Sequence, residues 1–218
     1  MTMRRYDAVL FDLLTGLVDS WTLWNDVAGG EEAGRRWRAE YLRVTYRTGA
    51  YRPYEALVAE AAANVGLPRG LADALGARYG ELKPWPGVTD ALRTLKSAGL
   101  LLGVVTNCSE RLGHVAAAVV GVDFDAIITA ERVGFYKPDE RPYRRGVEAL
   151  GAAPERCLFV AGSSYDLIGT AKVGLDTFWH NRVGLEAPPD APKPLYYSQT
   201  LESLPDVVLA GRPAQLTP

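Results

Sequence analysis

The chain has 218 residues, enough for one substantial core or for a core domain carrying a smaller inserted one. Hydrophobic residues make up 48% and charged residues 23%, ordinary values for a globular protein, and the formal net charge is -2. No basic stripe points to nucleic acid and no Lys/Arg block points to an anionic membrane.

The N-terminal MTMRR begins like a signal peptide, but Asp7 and Asp12 cut the apolar run after it. No stretch approaches the ~20 apolar residues that span a bilayer. The two cysteines, Cys108 and Cys157, end apolar runs, where a buried free thiol is the ordinary reading. This fits a reducing cytoplasmic setting rather than a disulfide framework. With two histidines, at 114 and 180, a His-rich metal site is not expected.

Ala8-Val9-Leu10-Phe11 is a short apolar run that stops at Asp12. Bounded runs of this kind read as buried strands of a parallel sheet. From about Leu17 to about Lys83 no strand run occurs. Helical stretches rich in aromatics and arginine take its place: Trp21 to Val27, Glu31 to Tyr46, Tyr54 to Val65 and Leu71 to Leu82. Pro84-Trp85-Pro86-Gly87 then punctuates the chain.

After it, strand runs alternate with helical ones. The strands are Leu100 to Val105, Ala126 to Ile128, Cys157 to Val160 and Thr177 to Trp179. The helices follow Gly87, cover Arg144 to Leu150, and cover Ile168 to Val173, with Gly99, Gly151 and Gly174 at their ends. This order predicts an α/β fold: a doubly wound, Rossmann-like parallel sheet with helices on both faces. The predicted core comprises residues 1–17 and 84–218, and 18–83 form an inserted helical cap. The tail after Gly184 is Pro-rich and is expected to wrap the surface. The cap aromatics admit a homodimer contact, although aromatics in a small helical unit more often form its core.

Parallel sheets bind ligands at the carboxyl ends of their strands. The polar residues there are Asp12, then Thr106 and Asn107, then Lys137 in the loop after Ile128, then Ser163, Ser164 and Asp166. A carboxylate, a cation, a hydroxyl–amide pair and a second carboxylate make a chemically sensible set. Each alone also reads as a helix cap or a solvated loop residue. Their coincidence at strand ends favours chemistry.

These residues resemble the haloacid dehalogenase superfamily, and within it the type II 2-haloacid dehalogenases. The likeness lies in Phe11-Asp12-Leu13-Leu14-Thr15-Gly16-Leu17, in Val105-Thr106-Asn107, in Lys137-Pro138-Asp139-Glu140-Arg141-Pro142-Tyr143, and in Phe159 to Asp166. Trp37-Arg38, followed by Leu42 and Thr45, resembles the segment that supplies the family's catalytic arginine. The resemblance implies a hydrolase with Asp12 as nucleophile, forming a covalent aspartyl ester with a small-molecule carboxylate substrate. Arg38 would bind the departing halide. Thr106 and Asn107 would bind the substrate carboxylate or halide. Lys137 would hold Asp12 ionised, Tyr143 would support that lysine, and Asp166 would help activate water. Leu14, Leu42, Tyr54 and Tyr165 would form an apolar wall, with Ser163 beside the substrate.

Most of the superfamily transfers phosphoryl groups with magnesium, using Asp-x-Asp and a paired acid in the fourth motif. Leu14 and Ser163 stand in place of those two acids. Magnesium prefers carboxylate oxygens, and an alcohol leaving group needs a proton donor, whereas a halide leaves as a stable anion. No metal and no cofactor are therefore expected. The alternatives are a magnesium-dependent small-molecule phosphatase and a non-catalytic member of the superfamily.

Overall fold

The computed structural model describes residues 4–210. The first residues of the MTMRR segment and the end of the tail lie outside the described residues, as do the outer ends of the two expected core segments. Six strands form one sheet: β1 (Ala8–Phe11), β2 (Leu101–Thr106), β3 (Ala126–Thr129), β4 (Cys157–Ala161), β5 (Asp176–His180) and β6 (Tyr196–Ser198). Their order is β3-β2-β1-β4-β5-β6, and every neighbouring pair is parallel. The doubly wound α/β expectation holds.

Alternate residues of β1 serve opposite faces. Val9 and Phe11 join Leu102, Val104, Leu158 and Val160 in one apolar layer. That layer is closed by α5 (Val88–Ser97), α6 (Glu110–Ala118) and α10 (Leu204–Ala210). Ala8 and Leu10 join Val105 and Phe159 in the other, beneath α8 (Glu140–Ala149) and α9 (Ser164–Val173). The short α7 (Ala130–Val133) follows β3. Both faces are covered, so the strands read as continuous apolar runs.

The tail differs from expectation. Instead of only wrapping the surface, it supplies β6 at the sheet edge and α10, whose Leu204, Val207 and Val208 are buried. A three-residue strand among prolines has too few residues to show a period, so pairing with β5 decides it.

Between β1 and β2 the chain leaves the sheet for α1 (Ser20–Ala28), α2 (Glu31–Thr48), α3 (Tyr54–Asn64) and α4 (Leu71–Ala77), then a 3-10 turn at Tyr79–Glu81. The two crossings run side by side: Asp19 N donates to Lys83 O at 2.8 Å, and Trp85 N to Leu17 O at 2.9 Å. Trp24, Trp37, Tyr41, Tyr54 and Tyr79 fill the interior of this helical layer. These aromatics are thus used in packing the layer's own core. No helix among the described residues is long and apolar enough to cross a membrane.

The layer is fastened above the strand ends. Tyr41 Oη donates to Asn107 O at 2.8 Å, Tyr46 Oη to Ser163 Oγ at 2.7 Å, and Tyr51 N to Gly134 O at 2.8 Å. On the opposite face, α8 and α9 meet where Gly169 lies against the Tyr143 ring, which would collide with any Cβ there. Tyr143 is fully buried and cannot yield to solvent. Gly169→Ala is therefore expected to destabilise the fold by about 1–3 kcal/mol, the usual cost of overpacking. Urea denaturation of both proteins checks this.

Candidate active site

Because all strands run the same way, their carboxyl ends share one edge, and Asp12, Thr106, Asn107, Ser163 and Asp166 meet there. Asp12 follows β1 directly and is 5% exposed. Its Oδ1 receives Lys137 Nζ at 2.7 Å. Its Oδ2 receives the backbone N–H of Thr15 at 3.1 Å and of Gly16 at 3.0 Å, and the Thr15 hydroxyl as well. Lys137 Nζ also lies 2.9 Å from Asp166 Oδ1. One buried ammonium thus joins two buried carboxylates.

The two carboxylates respond differently. Burial pushes Asp12 upward, but the charge and hydrogen bond of Lys137 and the hydrogen bonds of Thr15 overcome it and hold Asp12 below the ordinary value. Burial pushes Asp166 upward too. Lys137 opposes this and the Asp12 charge adds to it, leaving Asp166 at about 6. Lys137 loses by burial and gains more from Asp12 and Asp166, so its ammonium is held above the usual lysine value.

Tyr143 lies elsewhere than the resemblance implied. Its hydroxyl donates to Asp166 Oδ1 at 2.7 Å rather than reaching the lysine. Asn107 clasps the lysine backbone: its Nδ2 donates to Lys137 O at 3.1 Å and its Oδ1 accepts from Lys137 N at 2.7 Å. The Asn107 carbonyl oxygen is therefore committed. Thr106 Oγ1 is buried without a protein partner.

Arg38 descends from α2 and is 1% exposed, and its Nε and Nη1 have no protein partner. Its guanidinium carbon lies 5.6 Å from the Trp21 ring, 5.1 Å from Trp24 and 5.2 Å from Tyr41. Such contacts stabilise a desolvated cation by about 0.5–2 kcal/mol each, less than the cost of leaving a buried charge unpaired.

Asp12, Leu14, Thr15, Arg38, Tyr41, Leu42, Thr45, Tyr46, Thr106, Asn107 and Lys137 line one cavity. Its volume is about 20 Å³. A larger groove, about 540 Å³, opens at Asp19, Asp26, Arg78 and Glu81, but none of the strand-end residues reaches it. Asp12, Thr106, Asn107 and Lys137 open into the small cavity instead.

Two wall residues do not face the cavity. Tyr54 is buried behind Tyr41, with ring centroids 5.5 Å apart, and its hydroxyl pairs with Tyr79. Tyr165 stacks on Tyr46 at 4.0 Å. Ser163 accepts from Tyr46 and from Tyr165 N, so it caps α9 and anchors the helical layer. Sequence reading missed Thr15 as a donor, and Tyr41 and Tyr46 as lining. The helical period places Tyr41 and Thr45 one turn apart and next to Arg38 and Leu42, which was the available signal.

A magnesium site does not fit these residues. Leu14 is apolar, Ser163 is engaged by Tyr46, and Asp12 and Asp166 share the Lys137 ammonium. Among the described residues no three His, Cys, Asp or Glu side chains group to hold an ion.

A family model for haloacid dehalogenase-like hydrolases matches residues 6–174. The chain is 31% identical over 198 residues to (S)-2-haloacid dehalogenase H-109 of Pseudomonas putida, covering 84% of this chain and 88% of that one. It is 29% identical to haloacetate dehalogenase H-2 of Moraxella sp. (strain B), with the same coverage, 84% and 88%. The fold superposes on the L-2-haloacid dehalogenase of Xanthobacter autotrophicus with chloropropionic acid covalently bound. The TM-score is 0.83 at 23% identity, over 93% of this chain and 98% of that one. The chain belongs to the haloacid dehalogenase-like hydrolase family.

Proposed function

We propose that this hydrolase displaces halide from a small 2-haloalkanoic acid through a covalent ester on Asp12, giving the 2-hydroxy acid. The observation that carries the reading is Arg38. It is a buried cation with two unpartnered nitrogens, lining the same small cavity as an ionised, buried carboxylate. Relatives named for (S)-2-haloacids and haloacetate support it.

In the first step an Asp12 oxygen attacks C2 of the substrate, and the carbon–halogen bond breaks with its electron pair going to the halide. Oδ2 already takes two amides and a hydroxyl. Oδ1, held by Lys137 alone, is therefore the attacking atom. Arg38 receives the halide in a dry site, where a fixed cation acts more strongly than in water. Thr106 Oγ1 is placed to donate to the substrate. In the second step Asp166 takes a proton from water as it adds to the Asp12 carboxyl carbon. The developing negative charge falls on Oδ2, against the Thr15 and Gly16 amides. Collapse breaks the bond between that carbon and Oδ1, and the departing alkoxide regains the proton from Asp166. Asp12 releases the water's second proton to solvent, returning to the ionised form that Lys137 favours.

Oδ1 thus leaves with the product, and C2 is inverted once. The cavity holds about one water. The helical layer must shift to admit substrate, and short acids are favoured. The two free, buried cysteines are consistent with a reducing cytoplasm.

Halide should be released from 2-chloropropionate and chloroacetate with or without EDTA. A single turnover in ¹⁸O water should place the label in Asp12 and leave the first hydroxy acid unlabelled. Arg38→Lys should lower kcat by about 10²–10³-fold with a smaller change in KM, as for loss of an oriented charge donor. Magnesium-dependent hydrolysis of p-nitrophenyl phosphate without halide release would overturn the reading.

The Asp166 value near 6 sets a second expectation. Above it the carboxylate can take a proton; below it the site is occupied and the base is lost. Turnover should therefore fall as pH drops through about 6, while formation of the Asp12 ester persists to lower pH. Rapid-quench trapping of the ester by mass spectrometry checks that split, since the ester should accumulate on the acid side.

A further inference from the structure

His180 ends β5 and is 1% exposed. Its Nδ1 lies 2.8 Å from the carbonyl oxygen of Gly16. A carbonyl only accepts, so Nδ1 carries the proton and donates. Burial lowers His180 below the ordinary histidine value, opposed by the backbone of Gly16 and of Gln199 and reinforced by the charge of Arg182. The 2.8 Å contact with the Gly16 carbonyl favours the tautomer protonated on Nδ1.

The acceptor matters because of what its neighbours do. The Gly16 N–H donates to Asp12 Oδ2 at 3.0 Å. That N–H shares a peptide plane with the Thr15 carbonyl, and the Thr15 carbonyl receives Trp85 Nε1 at 3.3 Å. The next peptide plane carries the Gly16 carbonyl, held by His180, and the Leu17 N–H, which donates to Leu13 O at 3.0 Å. Both planes flanking the Gly16 Cα are therefore tethered from outside the turn. Glycine has the widest backbone freedom of any residue, so an untethered Gly16 could swing its N–H away from Asp12. Gly162 lies against the same turn, where any Cβ would strike the Thr15–Gly16 backbone. A buried histidine that merely filled space could use any nearby carbonyl. This one uses a carbonyl of the turn that wraps the Asp12 carboxylate.

We propose that His180 is a positioning residue: with Trp85 on the adjoining carbonyl, it fixes the Gly16 peptide so that its N–H stays aimed at Asp12 Oδ2. The catalytic consequence rests on the reading of Asp12 as nucleophile; the geometric part stands on the hydrogen bonds alone. Losing the tether weakens one of the donors that orient the carboxylate and receive charge during ester cleavage. It leaves the cavity wall untouched, because neither His180 nor Trp85 lines it. The effect should therefore fall on kcat more than on KM.

The test compares wild type with His180→Leu, His180→Asn and Trp85→Phe. Asparagine can bring Nδ2 near the position of the imidazole Nδ1, and leucine cannot donate. Two quantities are read: the Gly16 amide proton by ¹H–¹⁵N NMR, and kcat and KM for halide release from 2-chloropropionate. A charge-assisted bond to Asp12 places that proton downfield. It should move upfield in His180→Leu and return in His180→Asn. Turnover in His180→Leu should fall about 10–100-fold with KM within about twofold, and recover in His180→Asn, since small misplacements of reacting groups cost that much. Trp85→Phe should shift the amide in the same direction, and carries the test if His180→Leu does not fold. An unmoved Gly16 proton in the donor-less variants overturns the proposal, as does a fall in kcat without that movement. A wild type that releases no halide, with the Gly16 proton still moving in His180→Leu, upholds the tether and rejects the dehalogenation reading instead.

Discussion

The Lys137 ammonium between Asp12 and Asp166 is the constraint on which the site depends. Two carboxylates so close, both within a dry interior, cannot both stay ionised unaided. A single cation 2.7 Å from one and 2.9 Å from the other makes the pair tolerable. It does not treat them equally. Asp12 gains the Thr15 and Gly16 donors as well, whereas Asp166 Oδ2 is buried without a protein partner. One carboxylate is therefore held ionised and the other sits near 6. Environments that push two like groups apart separate a nucleophile from a base. The rest of the strand-end apparatus serves this arrangement. Asn107 fixes the lysine backbone, and Tyr143 holds the lone acid in place.

Arg38 completes the charge balance from the opposite side. Asp12, Asp166 and Lys137 alone leave the ionised site with a net negative charge, which would repel an anionic substrate. A second cation, Arg38 on α2, corrects that. Its surroundings are three aromatic rings rather than a carboxylate. An acidic partner would neutralise the guanidinium permanently and compete with any departing anion. Aromatic faces stabilise the cation without supplying an acceptor, so its N–H groups remain directed at a ligand. The fold makes this affordable because α2 packs Trp37 into the layer's core while Arg38, Tyr41 and Leu42 turn toward the strand ends.

Much of this was legible in the residues. Ala8–Phe11 and Cys157–Ala161 stand out because a doubly covered sheet needs unbroken apolar runs, and a polar residue ending such a run is conspicuous. Asp12 and Thr106 stand at the ends of such runs and Asp166 shortly after one, and all three are buried. Partners were harder than positions. The resemblance implies that Tyr143 supports the lysine, yet its hydroxyl donates to Asp166; no spacing distinguishes a contact with Lys137 from one with Asp166. The family resemblance implies Tyr54 and Tyr165 in the wall, yet each packs against a neighbouring tyrosine, Tyr41 and Tyr46. His180, Trp85 and Tyr46 act through contacts with residues 164, 70 and 117 positions away. Nothing periodic or local marks such pairs. Likewise β6 is strand only because β5 is beside it.

The two missing acids acquire a physical meaning once their replacements are located. Leu14 is an apolar wall of the cavity, 4% exposed and one residue before the Thr15 donor. A carboxylate there would add a third negative charge beside Asp12 and engage Arg38, the cation in the same cavity. Ser163 accepts from Tyr46 and so ties the helical layer to the start of α9. A carboxylate in its place would bring another charge toward Asp166, raising further a group already near 6. The two substitutions are coupled through Lys137: its ammonium already bridges Asp12 and Asp166 and cannot also meet two more acids. Chemistry that needs a proton donor for its leaving group is therefore poorly served here, and chemistry whose leaving group departs as a stable anion toward Arg38 requires neither missing acid.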